Sequence, residues 1–171
     1  MKPLIVCYSY TGHTREAALR LQSLTGGDLC QIFPRQPYPV SFPQLLEQAR
    51  REIAAGERPR LLVMGPGPQP YRTIFVGSPN WCGTIAPPLA SWLSRYDFSG
   101  KVLFPFYSHC GGVRGDLREA VQRVCPKAEV KEALGLLETE TAPEDVLGQW
   151  LARNVVQQNG IRGKRENHGD P

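Results

Sequence analysis

A chain of 171 residues that is 41% hydrophobic is long enough for one domain with a sizeable core. Its formal net charge of +4 is too weak to imply a nucleic-acid partner. Its five cysteines form no Cys-x-x-Cys pair, and the adjacent His109 and Cys110 are poorly placed to chelate one ion, so no metal site is expected.

The first strand is read at Leu4 to Tyr8, an apolar run of the kind that parallel sheets bury on both faces. A helix follows from about Gly12 to Leu24, with Ala17, Ala18, Leu21 and Leu24 on one face and Gly26-Gly27 as its stop. Asp28 to Phe33 reads as the second strand, and Pro34, Pro37 and Pro39 then require a loop. Ser41-Phe42-Pro43 opens a helix with Leu45, Leu46, Ala49 and Ile53 as its apolar stripe; Gly56 ends it and Pro59 bars its continuation. Pro66-Gly67-Pro68-Gln69-Pro70 is a rigid connector rather than a domain boundary, because strand and helix alternate again at once.

The third strand lies within Tyr71 to Gly77 and is followed by the loop Ser78-Pro79-Asn80-Trp81-Cys82-Gly83. A helix from about Pro87 to Tyr96 buries Leu89, Trp92 and Leu93. Lys101 to Phe106 is the fourth strand, with the loop Tyr107-Ser108-His109-Cys110-Gly111-Gly112 after it and then a helix to about Val124. The fifth strand falls within Glu129 to Leu137, and a last helix starts near Pro143 with Val146, Leu147, Trp150, Leu151 and Val155 on one stripe. Residues 1–160 are therefore expected to form one domain and 161–171, with the basic cluster Arg162-Gly163-Lys164-Arg165, a flexible solvated tail. Strand and helix alternating five times argue an α/β protein with an open parallel sheet covered on both faces. In such sheets a ligand binds beyond the carboxyl ends of the strands.

The loops after strands 1, 3 and 4 converge at that edge. The first, Ser9-Tyr10-Thr11-Gly12-His13-Thr14, brings three hydroxyls and a pliable glycine to the positive end of a helix. That makes a plausible phosphate cradle, and equally a turn whose Ser and Thr only cap the helix. The second brings Trp81, either a core residue or a ligand contact; the third brings Gly111 and Gly112, where backbone N–H groups can approach closely. None of the three contains Asp or Glu, so an anion is expected to meet no local repulsion there.

Ser9-Tyr10-Thr11-Gly12-His13-Thr14 fits the Ser/Thr-x-Thr-Gly-x-Thr phosphate loop of flavodoxins, and Pro79-Asn80-Trp81 resembles the Pro-x-Trp loop of one flavodoxin-like family. The similarity runs from about Lys2 to Trp150. It implies a flavodoxin-like three-layer sandwich, a five-stranded parallel sheet of order 2-1-3-4-5, and flavin mononucleotide (FMN) as cofactor. Its phosphate would sit on Ser9, Tyr10, Thr11, Gly12, His13 and Thr14. Its ring would lie between Ser78, Pro79, Asn80, Trp81, Cys82 and Gly83 on one side and Ser108, His109, Gly111 and Gly112 on the other, with Trp81 stacking.

The third loop departs from the family pattern, since His109-Cys110 stand where members often carry Ser and Gly. His109 either donates toward a reduced flavin or points to solvent; Cys110 is either a redox thiol or a plain loop cysteine. His13 is a helix-start side chain or a phosphate contact, and Arg15 belongs on the helix surface. No side chain is singled out as catalytic. The expected function is electron transfer through FMN, with a redox partner protein or a small-molecule acceptor. The alternatives are an NAD(P)H-dependent FMN or quinone reductase and a non-catalytic module of the same fold. The resemblance leaves the oligomeric state open. Flavodoxins are usually acidic and this chain is basic, so acidic redox partners and a less negative flavin potential are expected. A cysteine phosphatase is excluded because Asp116 and His13, not Arg, stand six residues after Cys110 and Cys7; a Gly-x-Gly-x-x-Gly fingerprint after the first strand and a P-loop are absent. Cys7, Cys30 and Cys125 lie in apolar patterns as core thiols, which favours a reducing compartment. The N-terminus turns polar too soon for a secretory signal and no run spans a membrane, so a cytoplasmic protein is expected.

Overall fold

β1 (Leu4–Cys7) is buried at all four positions, as a strand covered on both faces must be. The computed structural model describes residues 1–112, 115–138 and 146–154. In chain order β1 is followed by α1 (His13–Thr25), β2 (Asp28–Pro34), α2 (Phe42–Ala55), β3 (Leu61–Met64), β4 (Thr73–Trp81) and β5 (Thr84–Ile85). Then come α3 (Pro87–Leu93), β6 (Val102–His109), α4 (Leu117–Val124), β7 (Glu129–Val130) and β8 (Leu134–Leu137). A further helix, α5, covers residues 146–154. The expected helix start at Pro143, Val155 on its stripe and the tail from Gly160 lie outside the described residues.

The protein is α/β, and the parallel order that the resemblance implies is present as β2-β1-β4-β6 with β7 and β8 beyond. The sheet has eight strands rather than five, for three separate reasons. β3 adds an antiparallel edge to β2, pairing Leu61–Met64 with Gln31–Pro34. A four-residue apolar run carries no periodicity of its own, and this partner lies on the far side of α2. β5 folds back on β4. The fifth strand is split, and the indole of Trp150 on α5 donates to the Glu132 carbonyl inside the break, at 3.3 Å.

Two expected loops are strand over much of their length. β4 continues through Ser78, Pro79, Asn80 and Trp81, because Ser78 and Pro79 still pair with Tyr107 and Ser108 of β6. Only Cys82 (φ 54°) and Gly83 (φ 82°) form the turn into β5, both with the positive φ that a two-residue type I′ turn demands. β6 likewise runs to His109, since β8 supplies partners for Phe106 through His109. On α1, Ala17, Ala18 and Leu21 are buried, but Leu24 is 50% exposed. Three residues turn a helix by about 300°, so Leu24 falls to one side of Leu21 in the last turn.

The core has two faces. On one, α1 and α5 supply Ala17, Ala18, Leu21, Leu147 and Trp150 against Ile5, Phe75 and Phe104. On the other, α2, α3 and α4 supply Leu45, Ala49, Leu89, Trp92, Leu117 and Val121 against Leu4, Val6, Ile74 and Leu103. Cys7, Cys30 and Cys125 are buried thiols, and burial raises Cys7 to about 12, Cys30 to about 11 and Cys125 to about 12. The proline-rich connector is held by Lys101, whose ammonium donates to the carbonyls of Pro68, Gln69 and Tyr71 at 3.0, 3.0 and 2.7 Å. No helix among the described residues is long and apolar enough to cross a membrane, and they contain no cluster of metal-ligating side chains.

Gly77 sits where a Cβ would meet the Phe106 ring at 2.3 Å. Gly77→Ala should therefore destabilise the protein by about 1–3 kcal/mol through overpacking. A second substitution, Phe106→Leu, should recover part of that loss in thermal melts. Asp28 accepts from Lys2 at 2.7 Å and Tyr71 at 2.6 Å, and these bonds hold its carboxyl below the usual range. A folded pKa below the unfolded one adds stability that is present above about pH 4 and lost as pH falls through the folded value. The gap in Tm between wild type and Asp28→Asn should therefore be full near neutrality and close in acid.

Candidate functional site

The first loop leaves β1 at Tyr8 and enters α1 at His13. Gly12 is the N-cap, at φ 101°, a conformation that suits glycine, and no side chain caps the helix. Ser9 Oγ accepts from the Gly12 N–H at 3.2 Å, inside the loop itself. The capping alternative is thus not what the fold uses. The helix end stays open, with the exposed Thr11 and Gly12 beside it. A cleft of about 300 Å³ runs along this loop, bordered by Ser9, Tyr10, Thr11, Gly12, Arg15 and Gln31. Arg15 Nε donates to Gln31 Oε1 at 2.9 Å, which holds the guanidinium on that border.

Thr14 and Ser78 point inward. Thr14 is 1% exposed, and its hydroxyl lies 3.0 Å from that of Ser108 on β6. Ser78 is fully buried; it accepts from the Ala86 N–H at 2.8 Å and donates to the Pro79 carbonyl at 2.8 Å, tying the end of β4 to the start of α3.

The second and third segments meet in another cleft, of about 420 Å³, lined by Asn80, Tyr107, His109, Gly111, Gly112 and two further glycines, Gly115 and Gly135. His109 Nδ1 accepts from the Gly111 N–H at 3.1 Å, so a neutral imidazole carries its proton on Nε2. A Cβ on Gly115 would lie 1.6 Å from the Gly83 carbonyl oxygen. The β4–β5 turn and the segment leading into α4 therefore touch backbone to backbone, and only glycine permits it. A Cβ on Gly135 would meet the Tyr107 ring at 2.8 Å.

Trp81 lines neither cleft. It is 6% exposed and packed edge-on by Tyr8, Tyr10 and Tyr38, with ring centroids at 5.6, 5.9 and 4.8 Å. Tyr10 is the partly exposed member, and its hydroxyl donates to the Pro39 carbonyl at 2.7 Å. The hydroxyl of Tyr38 donates to the buried Glu52 carboxylate at 2.5 Å, and Gln48 donates to the other oxygen at 2.8 Å. Burial first, and then this bond to Glu52, drive the Tyr38 phenol upward. The loop after β2 thus joins the site region, a contribution that its prolines did not signal.

The largest departure from expectation is an acid. Glu138, at the end of β8, reaches the first loop from outside all three segments. Its Oε1 accepts from Ser108 at 2.9 Å, and its Oε2 accepts from the Cys110 thiol at 3.4 Å and lies 3.9 Å from His13 Nε2. An anion at this edge therefore does have a carboxylate nearby. Burial, followed by the bond to Glu138, raises the Cys110 thiol, the opposite of what an activated nucleophile needs. Cys82 and Cys110 are exposed and unbridged. Glycines before a capped helix start (Gly115 before Asp116, whose carboxylate accepts from Glu119 N–H at 2.8 Å) are a readable signal; Glu138 had none, because only the sheet brings it here.

No curated protein sequence matches the chain. A candidate flavoprotein from Bacteroides eggerthii DSM 20697 shares 26% identity and superposes with a TM-score of 0.74, covering 89% of this chain and 96% of its own. One from Bacteroides uniformis ATCC 8492 shares 22% at a TM-score of 0.77, over 88% and 97%. A flavoprotein from Lactobacillus acidophilus NCFM, solved in complex with FMN, shares 19% at a TM-score of 0.68, over 78% and 92%. The family model Flavodoxin_4, described as flavodoxin, matches residues 2–154. With that match spanning most of its length, and the parallel sheet and glycine-capped first loop described above, the chain belongs to the flavodoxin family.

Proposed function

We propose that this protein binds FMN and carries electrons through it, in the cytoplasm, with a redox partner protein or a small-molecule acceptor. The observation that carries the reading is the start of α1: a helix N-terminus capped by glycine alone, opening beside Ser9 and Thr11 into a cleft. Unpaired N–H groups and the helix dipole favour a phosphate there. The FMN held by the Lactobacillus acidophilus flavoprotein, which shares the fold, supports the choice of cofactor. FMN supplies the one- and two-electron chemistry; the protein contributes binding, orientation and electrostatics.

In this reading the N–H groups of His13 and Thr14 and the hydroxyls of Ser9 and Thr11 hold the phosphate. The flat ring enters the cleft between Asn80 and the 109–112 segment, where His109 offers a proton on Nε2 and Gly111 and Gly112 let the backbone come close. Trp81, covered by Tyr8, Tyr10 and Tyr38, stays outside both clefts. Acidic partners suit the positive net charge. The five free cysteines suit a reducing compartment.

Flavin fluorescence titrations test this directly. FMN should be quenched and bound, with riboflavin weaker by about tenfold to a hundredfold, since charge-assisted hydrogen bonds to phosphate are worth about 1.5–3 kcal/mol each. Thr11→Ala should weaken FMN and leave riboflavin alone. Gly115→Ala should behave differently: its Cβ forces the 115 segment off the β4–β5 turn, so both flavins should lose affinity together. Equal binding of FMN and riboflavin by wild type would remove the phosphate from the reading, and binding of neither would sink it.

A further inference from the structure

We infer that Glu138 sets how tightly the first loop holds a phosphate, by keeping a carboxylate at the end of α1 that the phosphate approaches. The inference rests on the first loop being a phosphate site. Glu138 is not a loose surface acid. Its N–H donates to the His109 carbonyl at 2.9 Å, so the strand pairing of β8 with β6 fixes its backbone. Its side chain is only 15% exposed.

From that position the carboxylate is connected to α1 twice. Ser108 donates to it at 2.9 Å and lies 3.0 Å from the Thr14 hydroxyl, and both hydroxyls are nearly fully buried. His13 Nε2 lies 3.9 Å from its other oxygen. His13 and Thr14 are the first two residues of the helix, so both connections reach its first turn, at the positive end that no side chain caps. Among the described residues the groups around it are His13 from α1 and Ser108 and Cys110 from the end of β6. A bound phosphate monoester brings a second anion to the same helix end. The two repel, and in a partly buried site that repulsion is only weakly screened. The hydroxyl set and helix end attract the phosphate; Glu138 limits how strongly. The loop is thereby tuned toward a flavin phosphate that exchanges rather than one that is locked in place.

A neutral amide makes the same bond to Ser108 without the charge, which gives the test. Glu138→Gln should tighten FMN by about tenfold and leave riboflavin within a factor of about two, the selectivity that a unit charge near the phosphate alone produces. Glu138→Asp keeps the charge and should keep the wild-type preference. Unchanged or weaker FMN binding in Glu138→Gln, or an equal shift in riboflavin, would overturn the inference, as would matching shifts in the Gln and Asp variants. Inorganic phosphate provides a second reading, followed by the amide resonances of Gly12 and Thr14. If wild type takes up neither flavin, the FMN reading falls, while a phosphate midpoint about tenfold lower in Glu138→Gln still supports Glu138 and equal midpoints refute it. If Glu138→Gln does not fold, the wild-type protein decides: phosphate should shift the Glu138 carboxyl carbon together with the Gly12 amide, and a Gly12 shift with a static carboxyl would refute the role.

Discussion

The seven-residue parallel pairing of β4 with β6, from Thr73–Val102 to Pro79–Ser108, is what the rest of the structure depends on. It carries both strands past the points where their sequences stop looking like strands. Ser108 therefore arrives beside Thr14, and the β4–β5 turn arrives against Gly115. Without that register the two hydroxyls would not meet, and the second cleft would have no walls. Gly77 is part of the same device, because only a residue without Cβ lets the Phe106 ring lie across the neighbouring strand.

At the edge so formed, polar groups are arranged in a line rather than scattered. Thr14, Ser108 and Glu138 form a chain of hydrogen bonds from α1 to the end of β8, with His13 and Cys110 at the carboxylate. The two hydroxyls are buried and satisfied, which makes the chain a structural brace as well as an electrostatic feature. It also changes the character of the thiol: a cysteine donating to a carboxylate is held protonated, and nucleophilic chemistry at Cys110 is disfavoured for that reason.

The aromatic group beneath the first loop obeys a different constraint. Tyr8, Tyr10 and Tyr38 each meet Trp81 edge to face, which suits the quadrupoles of the rings. Two of their hydroxyls find partners, Tyr10 on Pro39 and Tyr38 on Glu52. Glu52 is buried on a helix that otherwise faces the core with Leu45 and Ala49; the two donors on its carboxylate are what make that burial tolerable. The result joins the loop after β2 to the segment between β1 and α1.

The parallel α/β class, the helix stops at Gly26 and Gly56 and the buried thiols were all legible in the sequence. Each rests on local chemistry: hydrophobic runs, positive-φ glycines, and side chains within one helical turn. Membership of the flavodoxin family was legible too, because its phosphate-loop pattern is contiguous. What only the tertiary structure decided is everything that needs two distant segments side by side. β3 has meaning only against β2, the strand character of Ser78 to Trp81 only against β6 and β5, and the burial of Trp81 only among three tyrosines from other segments. Glu138 is the clearest case. Nothing within several residues of it marks it as a neighbour of Thr14, and the contact exists because parallel strands end at one edge whatever their distance along the chain.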